Sequence, residues 1–243
     1  MVTGLEIFRQ YFQDYQNDYI LIGGVACELV LNSMHLEFRP TSDFDIVIVS
    51  DKLREGFGVK LKNFIHDGGY TVQSRKSNNC PTFFRFVKPK NGNFPAQLEL
   101  ASDKPVENWD YDFAPLDAGD GKPSLSAIIF EAEYYKFICA NSGVIHGITT
   151  IKLEGLIPLK ALAFHELSKI ESSSVETEIK IEKHISDIFR LADALSGEQF
   201  SLPAKIASNL SDALAAIQQR NITGDQIELL ENIRQFYRLK QGK

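Results

Sequence analysis

Tyr19-Ile20-Leu21-Ile22-Gly23-Gly24 and, fifteen residues further on, Arg39-Pro40-Thr41-Ser42-Asp43-Phe44-Asp45-Ile46-Val47-Ile48-Val49 decide how this chain is read. The first stretch is an all-apolar run stopped by two glycines, the pattern of a short buried strand. Val25 to Leu31 continues without a breaker and reads as a helix, which places the glycines at a strand-to-helix junction. In the second stretch Arg39, Thr41, Asp43 and Asp45 share one parity ahead of an apolar run. Side chains two apart on a strand face the same way, so Asp43 and Asp45 project together. Like charges so placed repel unless something cationic compensates.

A third carboxylate comes from further along. Phe83-Phe84-Arg85-Phe86-Val87 and Gln97-Leu98-Glu99-Leu100 flank a segment containing Asn91-Gly92, a strong turn signal, and predict a hairpin with Glu99 on its second strand. Two carboxylates on one strand and one on another supply the hard oxygen ligands that a pair of Mg²⁺ ions needs, with room left for phosphate oxygens. A glycine pair lets a ligand approach the backbone closely, and a following helix offers free N–H groups to phosphate. Taken singly, each feature has a plainer account. Asp43 alone is an exposed residue at a strand start, Glu99 alone a solvated strand face between Leu98 and Leu100, and Gly23-Gly24 alone a tight turn.

Together these residues resemble the signature of the DNA polymerase beta-type nucleotidyltransferase superfamily, in which a glycine pair precedes a D-x-D strand. The R-x-T-x-D-x-D form is similar to that of the bacterial AbiEii-like nucleotidyltransferases, which include toxins of toxin–antitoxin systems. The resemblance implies an α/β (α+β) fold: a small mixed sheet with flanking helices, then an all-helical carboxy-terminal domain closing over the nucleotide. It implies that Asp43 and Asp45 hold two Mg²⁺ ions, and that Gly23 and Gly24 contact the triphosphate of an NTP. Glu99, where the family commonly has Asp, completes the set. Arg39 and Thr41 brace the loop, with Arg39 within reach of a phosphate. Leu156-Ile157-Pro158-Leu159-Lys160-Ala161 resembles the family's helix with an inward lysine, and Glu182-Lys183-His184-Ile185-Ser186-Asp187-Ile188 its lysine-and-aspartate helix, so Lys160, Lys183 and Asp187 join the nucleotide-binding set. Spacings of four and three put Lys183, Asp187 and Arg190 on one face, expected to lie away from the Ile181, Ile185 and Ile188 stripe.

The implied activity is transfer of a nucleoside monophosphate from an NTP to an acceptor hydroxyl. RNA, tRNA in particular, is the favoured acceptor, with an antitoxin protein as a further partner. Two alternatives stand beside it. Glu99 in place of Asp fits a nucleotide- or partner-binding module that performs no chemistry, and a small hydroxylated molecule such as an aminoglycoside is another acceptor.

Outward from this core, the chain divides into an α/β domain over residues 1–150 and a helical domain over 151–243. Phe8, Phe12 and Tyr15 lie at helical steps near the amino terminus. Residues 110–124 are rich in Asp, Gly and Pro and read as a long loop before Ala127-Ile128-Ile129-Phe130. After residue 155 the periodicity is helical: Pro158 suits a first turn, Ile181, Ile185, Ile188, Ala192 and Leu195 form an apolar stripe, Pro203 lies near a helix start, and Thr223 with Gln226 has capping-box spacing.

Composition narrows the classes. At 243 residues, 44% hydrophobic and 24% charged, the chain is neither disordered nor fibrous. Its net charge of −6 argues against a protein that coats nucleic acid through bulk positive potential. The distribution is uneven: residues 1–50 carry −5, residues 51–104 carry +5 and residues 105–243 carry −6. A local phosphate-binding cleft therefore survives the overall sign. Cys27, Cys80 and Cys139 are odd in number and widely spaced, which points to a reducing, cytoplasmic setting rather than a disulfide framework. Met1 to Glu6 lacks the basic region of a secretory leader, and the longest stretch free of Asp, Glu, Lys and Arg, Phe137 to Ile151, is too short and too polar to span a bilayer. The five histidines show no H-x-x-x-H spacing, which leaves no histidine metal motif.

Overall fold

The apolar run Tyr19–Ile22 forms strand β1, and helix α2 (Gly23–Ser33) begins at the very next residue. A computed structural model describes residues 2–49, 51, 53–73, 83–102, 131–169 and 174–239. The expected loop over 110–124, the apolar run 127–130 and Cys80 lie outside the described residues. The chain divides into two compact units, Met1–Lys152 and Leu153–Lys243, and all seven described strands fall in the first.

The first unit is mixed α/β. Around β1 and α2 its elements are α1 (Leu5–Phe12), β2 (Asp43–Ile48), α3 (Phe57–Gly68), β3 (Thr71–Gln73), β4 (Phe83–Val87), β5 (Gln97–Ala101), α4 (Ala132–Ala140), β6 (Ser142–Ile145) and β7 (Ile148–Ile151). The strands form one sheet in the order β3-β4-β5-β2-β1-β7-β6. β2 runs antiparallel to β1 and parallel to β5, and β1 runs parallel to β7. The β4–β5 hairpin forms as expected, in register from Val87 opposite Gln97 to Phe83 opposite Ala101.

Strand alternation gives the sheet two unlike faces. Phe44, Ile46 and Ile48 of β2, Leu98 and Leu100 of β5, Phe84 and Phe86 of β4, and Tyr19 and Leu21 of β1 pack with Phe8 and Phe12 of α1 and Leu61 and Phe64 of α3. Phe8 sits at the centre, edge-on to Tyr19 and Phe64 at centroid distances of 5.1 and 5.7 Å. Edge-to-face rings add quadrupole attraction to their burial. The intervening residues Asp43, Asp45, Gln97, Glu99 and Arg85 belong to the opposite face.

α1 ends at Phe12, before Tyr15, and α3, α4 and the β6–β7 hairpin were not anticipated. That hairpin turns on His146 and Gly147, with φ of 49° and 79°. Two successive left-handed residues suit the right-handed twist of the strands they join.

The second unit is helical throughout its described elements: α5 (Leu153–Ser168), α6 (Val175–Ala192), α7 (Ala204–Gln218) and α8 (Gly224–Phe236). Thr223 and Gln226 form the anticipated capping box on α8, and Pro203 is the residue preceding α7. Ile181, Ile185, Ile188 and Ala192 are buried as the stripe requires. No helix among the described residues is long and apolar enough to cross a membrane.

Pro158 departs from expectation. It lies inside α5 rather than in its first turn. An internal proline deprives the carbonyl four residues earlier of its N–H partner, and here that carbonyl belongs to Glu154. The Tyr237 hydroxyl donates to it at 2.8 Å. Burial pushes this hydroxyl well above the usual phenol range, so it remains a donor at physiological pH. Tyr237→Phe is expected to lower unfolding free energy by about 1–2 kcal/mol, the cost of one orphaned buried acceptor. In a Pro158→Ala background, where residue 158 regains its N–H, urea titration should show less than half that loss. Equal losses in both backgrounds would refute the compensation.

Candidate functional site

The row of polar side chains follows from strand register. Asp45 is paired with Glu99 on the parallel strand β5, and Glu99 with Arg85 on β4; one step along, Asp43 is paired with Gln97. Residues in register on adjacent strands project to one face, so Asp43, Asp45 and Glu99 belong to one face of the sheet.

Burial separates them. Asp43 and Asp45 are partly exposed, whereas Glu99 is only 5% exposed. Glu99 is therefore not on a solvated strand face. Its Oε1 accepts from Arg85 Nε and from Gln97 Nε2, each at 2.8 Å. A buried carboxylate without such donors would carry a heavy desolvation cost. Arg85 and Gln97 were missed in the sequence. The signal was present: Arg85 is the one charged residue in an aromatic strand, and counting the hairpin register places it opposite Glu99.

The glycines meet the row from the other side. Gly23 has φ of +70°, and a Cβ there would lie 1.8 Å from Asp45 Oδ2. Any side chain at position 23 would thus be strained in its backbone and in collision with the carboxylate. A Cβ at Gly24 would come within 2.5 Å of Thr41 Oγ1. Ile22, the N-cap of α2, supplies no side-chain cap, and the positive end of the helix lies beside Asp45 and Thr41. Arg39 is partly exposed, with its guanidinium 4.9 Å from the Phe38 ring centroid and one nitrogen donating to the Pro40 carbonyl at 3.4 Å. Ser42 Oγ donates to Asp43 Oδ1 at 3.2 Å.

Two half-buried aspartates on one strand face fit a divalent cation. Among the described residues, no three His, Cys, Asp or Glu side chains converge as a closed metal cluster. Mg²⁺ does not need one, since it keeps several waters and is usually held by one or two carboxylates together with substrate phosphates.

The second unit places its three candidates differently. Lys160 Nζ donates to Asp187 Oδ2 at 2.7 Å, with the two side chains 3% and 2% exposed. Lys183 is exposed. Asp187 therefore does not share the exposed face expected for it with Lys183. It is buried along with Ile185 and Ile188, because its charge is met by a lysine from α5.

No family model matches the chain, and neither a curated protein nor a solved structure does.

Two outcomes follow from this geometry. Gly23→Ala is expected to cost about 1–3 kcal/mol in unfolding free energy. Gly24→Ala should cost less, because the atoms nearest a methyl group there belong to a rotatable threonine side chain; thermal and urea unfolding of both variants checks the order. For the buried ion pair, Lys160→Met alone should cost roughly 3–5 kcal/mol by stranding Asp187, while Lys160→Met with Asp187→Leu should come close to wild type. Equal losses in the single and double variants would count against a compensated pair.

Proposed function

We propose that this chain is a Mg²⁺-dependent nucleotidyltransferase that moves a nucleoside monophosphate from an NTP to an acceptor hydroxyl. One observation carries the reading: a glycine pair at the start of a helix lies against Thr41 and against Asp45, on the strand that also presents Asp43. Backbone donors for an anion and carboxylates for a cation thus lie side by side, as a metal-bound triphosphate requires.

In this reading Asp43 and Asp45 hold Mg²⁺, which when bound neutralises phosphate charge and lowers the pKa of the acceptor hydroxyl. The α2 amides beside Gly23 and Gly24 bind the β- and γ-phosphates and stabilise the charge that grows on them. Thr41, lying against Gly24, fixes the approach of the loop, and Arg39 is the nearest cation on that loop. Glu99 acts through its place next to Asp45, with Arg85 and Gln97 fixing its carboxylate. The acceptor oxygen forms a bond to the α-phosphorus as the bond from that phosphorus to the bridging oxygen breaks. Pyrophosphate leaves, and the hydroxyl proton passes to solvent.

The Arg85–Glu99 ion pair favours one other reading. A carboxylate already neutralised by an arginine is a poor metal ligand, which suits a module that binds nucleotide without turning it over. Incubation with each α-³²P-labelled NTP, Mg²⁺ and total cellular RNA separates the two. The wild-type protein should label an acceptor, and Asp43→Asn and Asp45→Asn should each lose at least a thousandfold in rate while melting close to wild type. Nucleotide bound without labelled product under any NTP would support the binding module, and full activity in either variant would overturn the metal-site assignment.

A further inference from the structure

One turn of α2 separates the glycine pair from Glu28. Gly24 and Glu28 are four residues apart, so they share a face of the helix, about 6 Å apart along its axis. Gly24 faces the Thr41 hydroxyl. Glu28 lines a cleft of about 340 Å³ that Thr41 also borders, together with Phe38 and Pro40. The cleft therefore begins beside the proposed phosphate site and runs one helical turn away from it. Glu28 is only 7% exposed, a carboxylate set into the wall rather than standing in solvent.

The chemistry proposed for Asp43 and Asp45 does not use Glu28, which is on α2 and off their sheet face. A carboxylate this near a phosphate site repels phosphate. The group it suits is a hydrogen-bond donor on another part of the nucleotide.

We propose that this cleft selects guanine, with Glu28 accepting from its N1–H and 2-amino groups and Phe38 stacking on its plane; this rests on the nucleotidyltransferase reading and names the NTP that the site takes. An ionised carboxylate only accepts hydrogen bonds, through two oxygens side by side. Guanine alone among the four bases sets two donors side by side on its pairing edge. Adenine and cytosine place a ring-nitrogen acceptor beside the amino group, and uracil flanks its single N–H with two carbonyls, so each of these turns a lone pair towards Glu28. Phe38 is partly exposed, with the Arg39 guanidinium 4.9 Å from its ring centroid. Stacking on such a ring tolerates any base, so Phe38 adds affinity and Glu28 adds choice. The cleft volume is at the lower end for small-ligand sites, which suits a base whose ribose and α-phosphate cover the turn back to Gly24.

The test is isothermal calorimetry of the full chain with Mg²⁺ and GTP, ITP, N1-methyl-GTP, ATP, CTP or UTP. Wild-type protein should bind GTP roughly tenfold or more tighter than ATP, CTP and UTP, the worth of one charge-assisted hydrogen bond. ITP, which keeps N1–H but lacks the 2-amino group, should fall between, and N1-methyl-GTP should bind no better than ATP. Glu28→Gln should weaken GTP roughly tenfold and leave ATP and CTP within about twofold. Phe38→Leu, at a partly exposed position, should weaken all four NTPs roughly fivefold and keep their order. If Glu28→Gln melts far below wild type, ITP and N1-methyl-GTP decide the matter on wild-type protein alone. Equal wild-type affinity for the four NTPs, N1-methyl-GTP bound as well as GTP, or a guanine preference that survives in folded Glu28→Gln overturns the assignment and leaves the nucleotidyltransferase reading standing. A wild-type protein that binds no NTP removes both.

Discussion

The contact between Asp45 and Gly23 is the constraint on which the first unit depends. β1 delivers the chain to Gly23 and β2 delivers Asp45 beside it, in a register that pairs Ile22 with Asp45. Carboxylate and backbone come so close that no Cβ fits between them. Position 23 is therefore fixed as glycine twice over, by its left-handed φ and by its neighbour. The same closeness brings the amino-terminal end of α2 against the acidic row. A shift of one residue in the β1–β2 register would turn the aspartates into the aromatic core.

The two faces of the sheet make opposite demands. The face packed on Phe8, Phe12 and Phe64 wants large apolar groups on alternate residues of β1, β2, β4 and β5, and receives them. The other face gathers charge, and each charge there has a stated means of support. Asp43 and Asp45 keep partial contact with solvent, while Glu99, nearly buried, is held by Arg85 and Gln97. In the helical unit Lys160 and Asp187 solve the same problem at greater depth, with each other as partners.

Much of this was legible in the sequence where a residue's neighbours along the chain determine its role. The apolar run before Gly23, the parity of Asp43 and Asp45, the β4–β5 hairpin and the Thr223 capping box all depend on local spacing, and all appear as read. What was not legible depended on partners distant in sequence. The burial of Glu99 is set by Arg85 across the hairpin, and that of Asp187 by Lys160 on another helix. Pro158 reads as a helix start because proline suits a first turn; the hydroxyl that meets the carbonyl it leaves open comes from Tyr237, some eighty residues later. The β6–β7 hairpin was obscured because its turn is His146-Gly147 rather than a familiar Asn-Gly pair.

The pairing of β1 with β7 has a consequence for how the protein is made. Leu21 and Thr150 are register partners, and the Thr150 hydroxyl donates to the Leu21 carbonyl at 3.1 Å across a sequence separation of 129 residues. A ribosome adding about 5–20 residues per second needs on the order of ten seconds to pass from one to the other. During that interval the β7-facing edge of β1, one of the most apolar strands in the chain, has no partner of its own. The nascent chain therefore passes through a stage at which a sticky strand edge is open to other chains, and chaperone dependence or early aggregation should depend on how soon residues 148–151 emerge.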